Sequence, residues 1–133
     1  MRRLSKVLFC GAALAGLAGL TGPALAAQAD QSWQHGDQLW GSEGKVTWTQ
    51  HGVRINGTGW DRSIGASTLI TFASRSGAED TYVDSKEHHV PHGEQPFVVT
   101  LRGSARQPID AVRVTTFQRG IGMAYSYDTL RRP

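Results

Sequence analysis

Short runs of alternating apolar and polar residues make up most of the chain beyond its N-terminal segment. Residues 45–50 place Val46 and Trp48 on one face, and residues 96–102 segregate their apolar side chains in the same way. Alternation with a period of two is typical of a half-buried β-strand. No window of about 11 or more residues has a convincing helical period. The sequence therefore predicts an all-β domain.

Glycine, asparagine, aspartate and proline divide the chain into about seven or eight short strands, at spacings of about 8–12 residues. This spacing predicts an antiparallel β-sandwich, and we expect its strands to be arranged in a jelly-roll-like way. The first two strands form a hairpin that turns at His51 and Gly52. Residues 56–59, Asn-Gly-Thr-Gly, are predicted to be a flexible loop. The predicted strands are residues 45–50, 53–55, 67–74, 81–83, 96–102, 109–118 and 123–130.

Residues 1–26 have the three parts of a secretory signal peptide. A basic start is followed by an apolar stretch and by the small-x-small sequence Ala24-Leu25-Ala26. Cleavage there leaves residues 27–133 as a single domain, which we expect to be secreted, or periplasmic if the cell has an outer membrane. The alternative is a retained membrane anchor, which Pro23 and the glycines of the apolar stretch disfavour.

Removal of the leader changes the charge of the protein. Arg2, Arg3 and Lys6 are three of the 14 basic residues, so the mature domain has as many basic as acidic side chains. A domain without net charge lacks the electrostatic footprint of a protein that binds duplex DNA or anionic membrane. We therefore expect neither partner. The one cysteine, Cys10, leaves with the leader, which excludes a disulfide scaffold, a cysteine-ligated zinc site and a thiol enzyme.

The four tryptophans lie early in the mature domain, and two of them are next to glycines in predicted loops. An indole ring stacks on flat apolar surfaces such as sugar rings, and its N–H donates a hydrogen bond. Asp61 and Arg62, which follow Trp60, can accept from and donate to hydroxyl groups. Trp40, Trp60, Asp61 and Arg62 are therefore the predicted ligand-binding residues. Core packing is the alternative for the two indoles.

Two features near the C terminus allow different interpretations. Tyr125 and Tyr127 share one face of the last predicted strand, where they either pack on the sheet or form a second contact strip. The Arg131-Arg132 pair is interpreted as a frayed, solvated terminus.

The densest group of titratable residues is Asp84, Glu87, His88, His89 and His92. On an extended segment His88 and His89 point to opposite faces, whereas His88 and His92 could converge across a bend, with Asp84 or Glu87 as a third metal ligand. The spacing matches no established metal motif, so a solvated loop is the favoured interpretation. His88, His92 and Asp84 remain weak metal candidates, and no cofactor is predicted.

These observations together predict a small secreted, non-catalytic binding module. It would recognise a glycan, a cell-surface component or a protein partner through its loop aromatics. One alternative is a secreted inhibitor or antagonist toxin that presents residues 84–94. Another is a small ribonuclease-like hydrolase that uses Glu87 with one of the neighbouring histidines. The chain has neither a Gly-x-Ser-x-Gly sequence nor a phosphate-binding loop, and no motif identifies a family.

Overall fold

The computed structural model describes residues 31–120 and 124–133. The predicted signal peptide, residues 1–26, lies outside these ranges. Within them the chain forms strands and no helix, so no helix there has the length and apolarity that a membrane crossing requires. The strands are β1 (Gln31–Gly36), β2 (Trp40–Trp48), β3 (Val53–Asp61), β4 (Ser67–Ser76), β5 (Thr81–Val90), β6 (Gly93–Leu101), β7 (Ala111–Arg119) and β8 (Ala124–Arg131).

The strands form two antiparallel sheets that pack face to face. The first sheet has the order β1-β2-β3-β6, and the second has the order β5-β4-β7-β8. Buried side chains alternate with more exposed ones along β4, where every second residue from Thr68 to Ser76 is buried. This alternation lets each sheet turn one face inward. The predicted antiparallel β-sandwich is therefore confirmed.

Within each sheet, strands that are distant in sequence are neighbours: β3 pairs with β6, and β4 pairs with β7. With β1 set aside, the orders β2-β3-β6 and β5-β4-β7-β8 resemble those of strands A-B-E and C′-C-F-G in immunoglobulin-type sandwiches. The extra first strand pairs with β2 at the edge of the first sheet. The sequence could not specify this strand order, because alternation defines the faces of a strand and leaves its pairing partner open.

The glycine-rich segment at residues 56–59 is part of β3, so the loop prediction was wrong. Gly57 and Gly59 lie in regular antiparallel register with both β2 and β6. Glycine is required at these two strand positions because core side chains occupy the space that a Cβ would fill. A Cβ at Gly57 would lie 2.7 Å from the Phe97 ring, and one at Gly59 would lie 2.7 Å from Ile70. Glycine within a strand commonly marks such a close approach.

Three aromatic rings form the centre of the core between the sheets. Trp33, Phe72 and Phe97 have ring centroids 5.6–6.3 Å apart, at edge-on, tilted and near-parallel angles. Trp33 and Phe97 come from the first sheet and Phe72 from the second. Gly44 makes room for the indole, since a Cβ there would lie 2.4 Å from the Trp33 ring. The aromatic cluster thus requires glycine on the strands beneath it.

The segment around residues 84–92 is a strand and a tight turn rather than a loop. β5 and β6 are separated by Pro91 and His92 alone, and the connection passes from the second sheet to the first. β5 is an edge strand, and most of its side chains are exposed. Charged residues such as Lys86 and Glu87 protect an edge strand from pairing with another chain. They also removed the apolar alternation from which the full length of β5 could have been predicted.

Arg132 binds two connections between strands through its side chain. The prediction of a frayed C terminus was therefore wrong at this residue. Its guanidinium donates to the carbonyl oxygens of Thr49, Gly52 and Ile109 over distances of 2.8–3.1 Å. It also lies 5.0 Å from the centre of the Trp48 ring, a cation–π distance. The β2–β3 turn and the β6–β7 connection are thereby held to the last residues of the chain.

We expect Arg132→Ala to lower the free energy of unfolding by about 2 kcal/mol, because the carbonyl oxygens lose a charged donor. Arg131→Ala is the matched control, since Arg131 is exposed and makes one long contact, 3.8 Å from Asp80. It should change stability by less than about 0.5 kcal/mol. Urea unfolding followed by far-UV circular dichroism measures both. Equal effects of the two substitutions would contradict the role given to Arg132.

Candidate functional site

The predicted site around Trp60 is largely internal. The Trp60 indole lies on the outer side of the first sheet and is only 4% exposed. Its Nε1 donates to the carbonyl oxygen of Asp37 at 2.7 Å, beneath the β1–β2 turn. Gly41, its cross-strand partner, leaves room for the ring, since a Cβ there would lie 2.8 Å from it. The Trp60 indole therefore packs beneath the β1–β2 turn and is not a loop aromatic.

Asp61 is completely buried and has internal partners on both carboxylate oxygens. Oδ2 accepts from the hydroxyl of Thr68 at 2.9 Å, and Oδ1 accepts from the backbone N–H of Ser63 at 2.9 Å. A buried carboxylate needs such donors, because an unpaired one would be costly. These bonds hold the β3–β4 connection.

Trp40 and Arg62 complete the predicted group and reach the surface. Trp40 is half-buried and lies opposite Asp61 in the register of β2 and β3. Arg62 is exposed, pairs with Glu94 at 3.1 Å and donates to the carbonyl oxygen of Gln38 at 2.8 Å. The structure thus brings all four predicted residues to one end of the sandwich. Of the four, only Trp40 and Arg62 offer surface to a ligand.

The histidines of β5 diverge, as the extended segment predicts. His88 faces the core, with its ring 5.0 Å from that of Phe97, and His89 lies on the opposite side of the strand. The Nε2 atom of His88 is buried without a hydrogen-bond partner. Among residues 31–120 and 124–133, no three His, Cys, Asp or Glu side chains are grouped as a metal site requires. The weak metal candidates His88, His92 and Asp84 accordingly receive no support here.

A chain of polar side chains crosses the interior between the sheets. The His35 ring lies 2.8 Å from Asp128 through Nε2 and 2.8 Å from the Thr116 hydroxyl through Nδ1. That hydroxyl lies 2.7 Å from the hydroxyl of Ser42, which accepts from Trp33 Nε1 at 2.9 Å. Residues of β1, β2, β7 and β8 are linked in this way.

The hydrogen bonds that link these polar side chains are consistent with one set of donor and acceptor assignments. An ionised Asp128 can only accept, so His35 Nε2 carries the hydrogen. In a neutral ring Nδ1 then accepts from Thr116, whose oxygen accepts from Ser42. A ring that donated from Nδ1 as well would make the Thr116 hydroxyl donate to Ser42, whose own hydrogen would then have no acceptor among these residues. The neutral ring is therefore the form that satisfies every group in the chain.

These hydrogen-bonded side chains include the residue types of a hydrolytic triad, namely an aspartate, a histidine and a hydroxyl group. Both Ser42 and Thr116 have no exposed surface, and His35 is 5% exposed. A nucleophile must reach a substrate carbonyl or phosphorus, and these hydroxyls reach only one another. The chain is thus suited to joining the sheets rather than to catalysis.

The outer face of the second sheet carries an exposed aromatic group. Tyr125 and Tyr127 are 61% and 54% exposed, with ring centroids 6.5 Å apart and planes 13° from parallel. The Phe117 ring lies 5.9 Å from that of Tyr125, and the Arg113 guanidinium lies 4.9 Å from the centre of Tyr127. We call Phe117, Tyr125, Tyr127 and Arg113 the aromatic face.

An open cleft lies at one end of the same sheet. The cleft has a volume of about 770 Å³ and is lined by the β3–β4 connection, by the β5–β6 turn and by the end of β7. Its polar side chains include His89, His92 and Arg119. Ser67 pairs with Arg119 in the register, and Leu69 pairs with Phe117 two residues further along. The cleft, called the end cleft below, therefore continues directly into the aromatic face.

Comparison with known family models, with curated proteins and with solved structures finds no match for this chain. The site is therefore argued from its own geometry. Sequence reasoning noted that Tyr125 and Tyr127 share a face but left them as packing or contact residues. Phe117 and Arg113 were missed because they join the tyrosines only through the pairing of β7 with β8.

Thr116→Val should lower the free energy of unfolding by about 2 kcal/mol, since valine leaves the Ser42 hydroxyl and His35 Nδ1 without their partner. Thr115→Val is the matched control, because the neighbouring side chain points to the outer face of the same strand. It should shift stability by less than about 0.5 kcal/mol. Chemical denaturation decides between these values. A neutral effect of Thr116→Val would show that the polar chain contributes nothing to joining the sheets.

Proposed function

We propose that this protein is a secreted, non-catalytic module that binds a glycan through its aromatic face. The observation that carries the proposal is the pair of exposed, nearly parallel rings of Tyr125 and Tyr127. Tyrosine rings in solvent expose apolar surface that a protein normally covers, and grouped exposure marks an interaction site. Flat rings at this separation offer successive contacts to the apolar faces of sugar rings.

Polar groups around the rings supply the directional part of such a site. Thr71 and Thr115 lie in the same row as Tyr127 across β4, β7 and β8. Their hydroxyls can both donate to and accept from sugar hydroxyls. Arg113, held over Tyr127, adds a planar donor. Aromatic faces bordered by a few polar groups are typical of sites that fix the orientation of a small ligand.

Export and the lack of catalysis belong to the same proposal and have separate support. Export rests on the leader sequence of residues 1–26. A binding rather than a catalytic role is supported by the burial of Ser42 and Thr116 and by the divergence of His88 and His89. The alternative of an inhibitor that presents residues 84–94 as a loop is less well supported, because these residues are mostly in strands β5 and β6.

Retention on a panel of insoluble polysaccharides, followed by titration with the soluble oligosaccharide, tests the proposal. The double variant Tyr125→Ala/Tyr127→Ala should weaken binding at least about tenfold, since both stacking surfaces are removed. Arg62→Ala and Val98→Ala should bind as the unchanged protein does. Arg62 belongs to the sequence-predicted group, and Val98 is an exposed apolar residue on a strand of the other sheet.

Two outcomes would contradict the proposal. One is that no polysaccharide of the panel retains the protein. The other is that Arg62→Ala abolishes binding while the double tyrosine variant leaves it intact, which would return the site to the β1–β2 end. Tryptophan emission is a poor reporter here, because Trp33 and Trp60 are buried away from the aromatic face.

A further inference from the structure

The outer face of the second sheet has an excess of positive charge. In the register of its strands, Arg75, Arg113, Arg119 and Arg131 point to this side, together with a single carboxylate, Glu87. That comparison covers the residues of β4, β5, β7 and β8 that the register places, which leaves out Asp84 at the irregularity of β5. The mature chain has no net charge, so this basic face is a local feature of the fold and not of the composition.

The arginines differ in how far their charge is already paired. Arg131 lies 3.8 Å from Asp80, and Arg75 donates to the Asp80 carbonyl oxygen at 3.2 Å. Arg113 and Arg119 form no ion pair with any residue in ranges 31–120 and 124–133. These two guanidinium groups lie on β7 on either side of Phe117 in sequence. The uncompensated charge therefore lies within the aromatic face, at Arg113, and within the end cleft, at Arg119.

Polar groups suited to an anion line the end cleft. Arg119, His89 and His92 line it, and Ser67 adds a hydroxyl. A guanidinium binds a carboxylate or sulfate through two parallel hydrogen bonds, and an imidazole N–H adds a further donor. No carboxylate lines the cleft among the described residues. An anionic group would meet only favourable charge there.

From this juxtaposition we propose that the glycan is an acidic polysaccharide, whose carboxylate or sulfate group binds Arg119, His89 and His92 in the end cleft. Its sugar rings then lie along Tyr125 and Tyr127, with Arg113 beside them. This inference rests on the proposed function and adds the chemical class of the ligand. A cleft that continues into an exposed row of rings gives one chain molecule both kinds of contact at once.

Two other classes of partner, a protein and a single-stranded nucleic acid, are less well matched by the same surface. Arginine and aromatic residues are enriched in protein–protein interfaces too, but an open cleft lined by Arg119, His89 and His92 suits the anionic group of a chain polymer better than a flat protein surface. Single-stranded nucleic acid also combines stacking with phosphate contacts. A protein that binds it normally has a basic domain, and this mature domain is balanced in charge. Both classes are outcomes of the experiment below.

The experiment compares charged and neutral forms of the same polysaccharide backbone. Polygalacturonate is paired with its fully methyl-esterified form, and dextran sulfate with dextran, in affinity electrophoresis and isothermal titration calorimetry. We expect the charged member of at least one pair to bind ten times or more tightly than its neutral counterpart. Arg119→Ala should weaken that binding about tenfold, whereas Arg119→Lys should recover part of it. The matched control is Arg54→Ala, an exposed arginine on a strand of the first sheet.

The results separate this inference from the proposed function. Equal binding of charged and neutral members would overturn the acidic class and leave glycan binding intact. Failure of all four polymers together with the wider panel would overturn both. Equal losses in Arg119→Ala and Arg54→Ala would overturn the end cleft as the anion site. Binding of single-stranded DNA or of polyglutamate as tightly as the best polysaccharide would overturn the glycan as the occupant.

Discussion

The close approach of the two sheets at Trp33, Phe72 and Phe97 is the constraint on which the rest of the fold depends. The rings fit because Gly44 and Gly57 have no side chains to oppose them, so the backbone of the first sheet forms part of the core surface. A change in the volume of one side chain here would displace its neighbours, because protein interiors leave few voids. The register of β2 with β3 is thereby specified, since a slip of one residue would place side chains under the rings.

The polar chain from Trp33 to Asp128 adds a directional link to this non-directional packing. Apolar contacts tolerate small shifts, whereas the His35, Thr116 and Ser42 atoms must meet within hydrogen-bond distance. A buried network is stabilising only when each member is satisfied. Because Trp33 belongs to both the aromatic cluster and the polar chain, the edge strand β1 is fixed by the same residue that fills the core.

Alternation along the chain was sufficient to predict the sandwich and the hairpin of β2 and β3, because burial on one face imposes a period of two. It failed at Gly57 and Gly59, whose composition resembles a turn although their role is to receive core side chains. It failed again for Trp60, which stands beside a glycine as a loop aromatic would. The sequence places Trp60 next to polar residues, but the β1–β2 turn that covers it comes from a segment more than 20 residues away. Such coverage is a tertiary property that local patterns do not contain.

The candidate site lies on the surface of the second sheet because the buried polar groups already have hydrogen-bond partners inside the protein. Trp60, Asp61, His35 and Ser42 all have partners within the protein, so their chemistry is unavailable to a ligand. The outer face of the first sheet is covered at one end by the β1–β2 turn, whereas the second sheet has no comparable cover among the described residues. Aromatic side chains on a covered face would be core residues; on this uncovered face Tyr125 and Tyr127 are not needed for packing. Their apolar surface and the adjacent arginines are therefore the basis of the proposal that the ligand is both ringed and anionic.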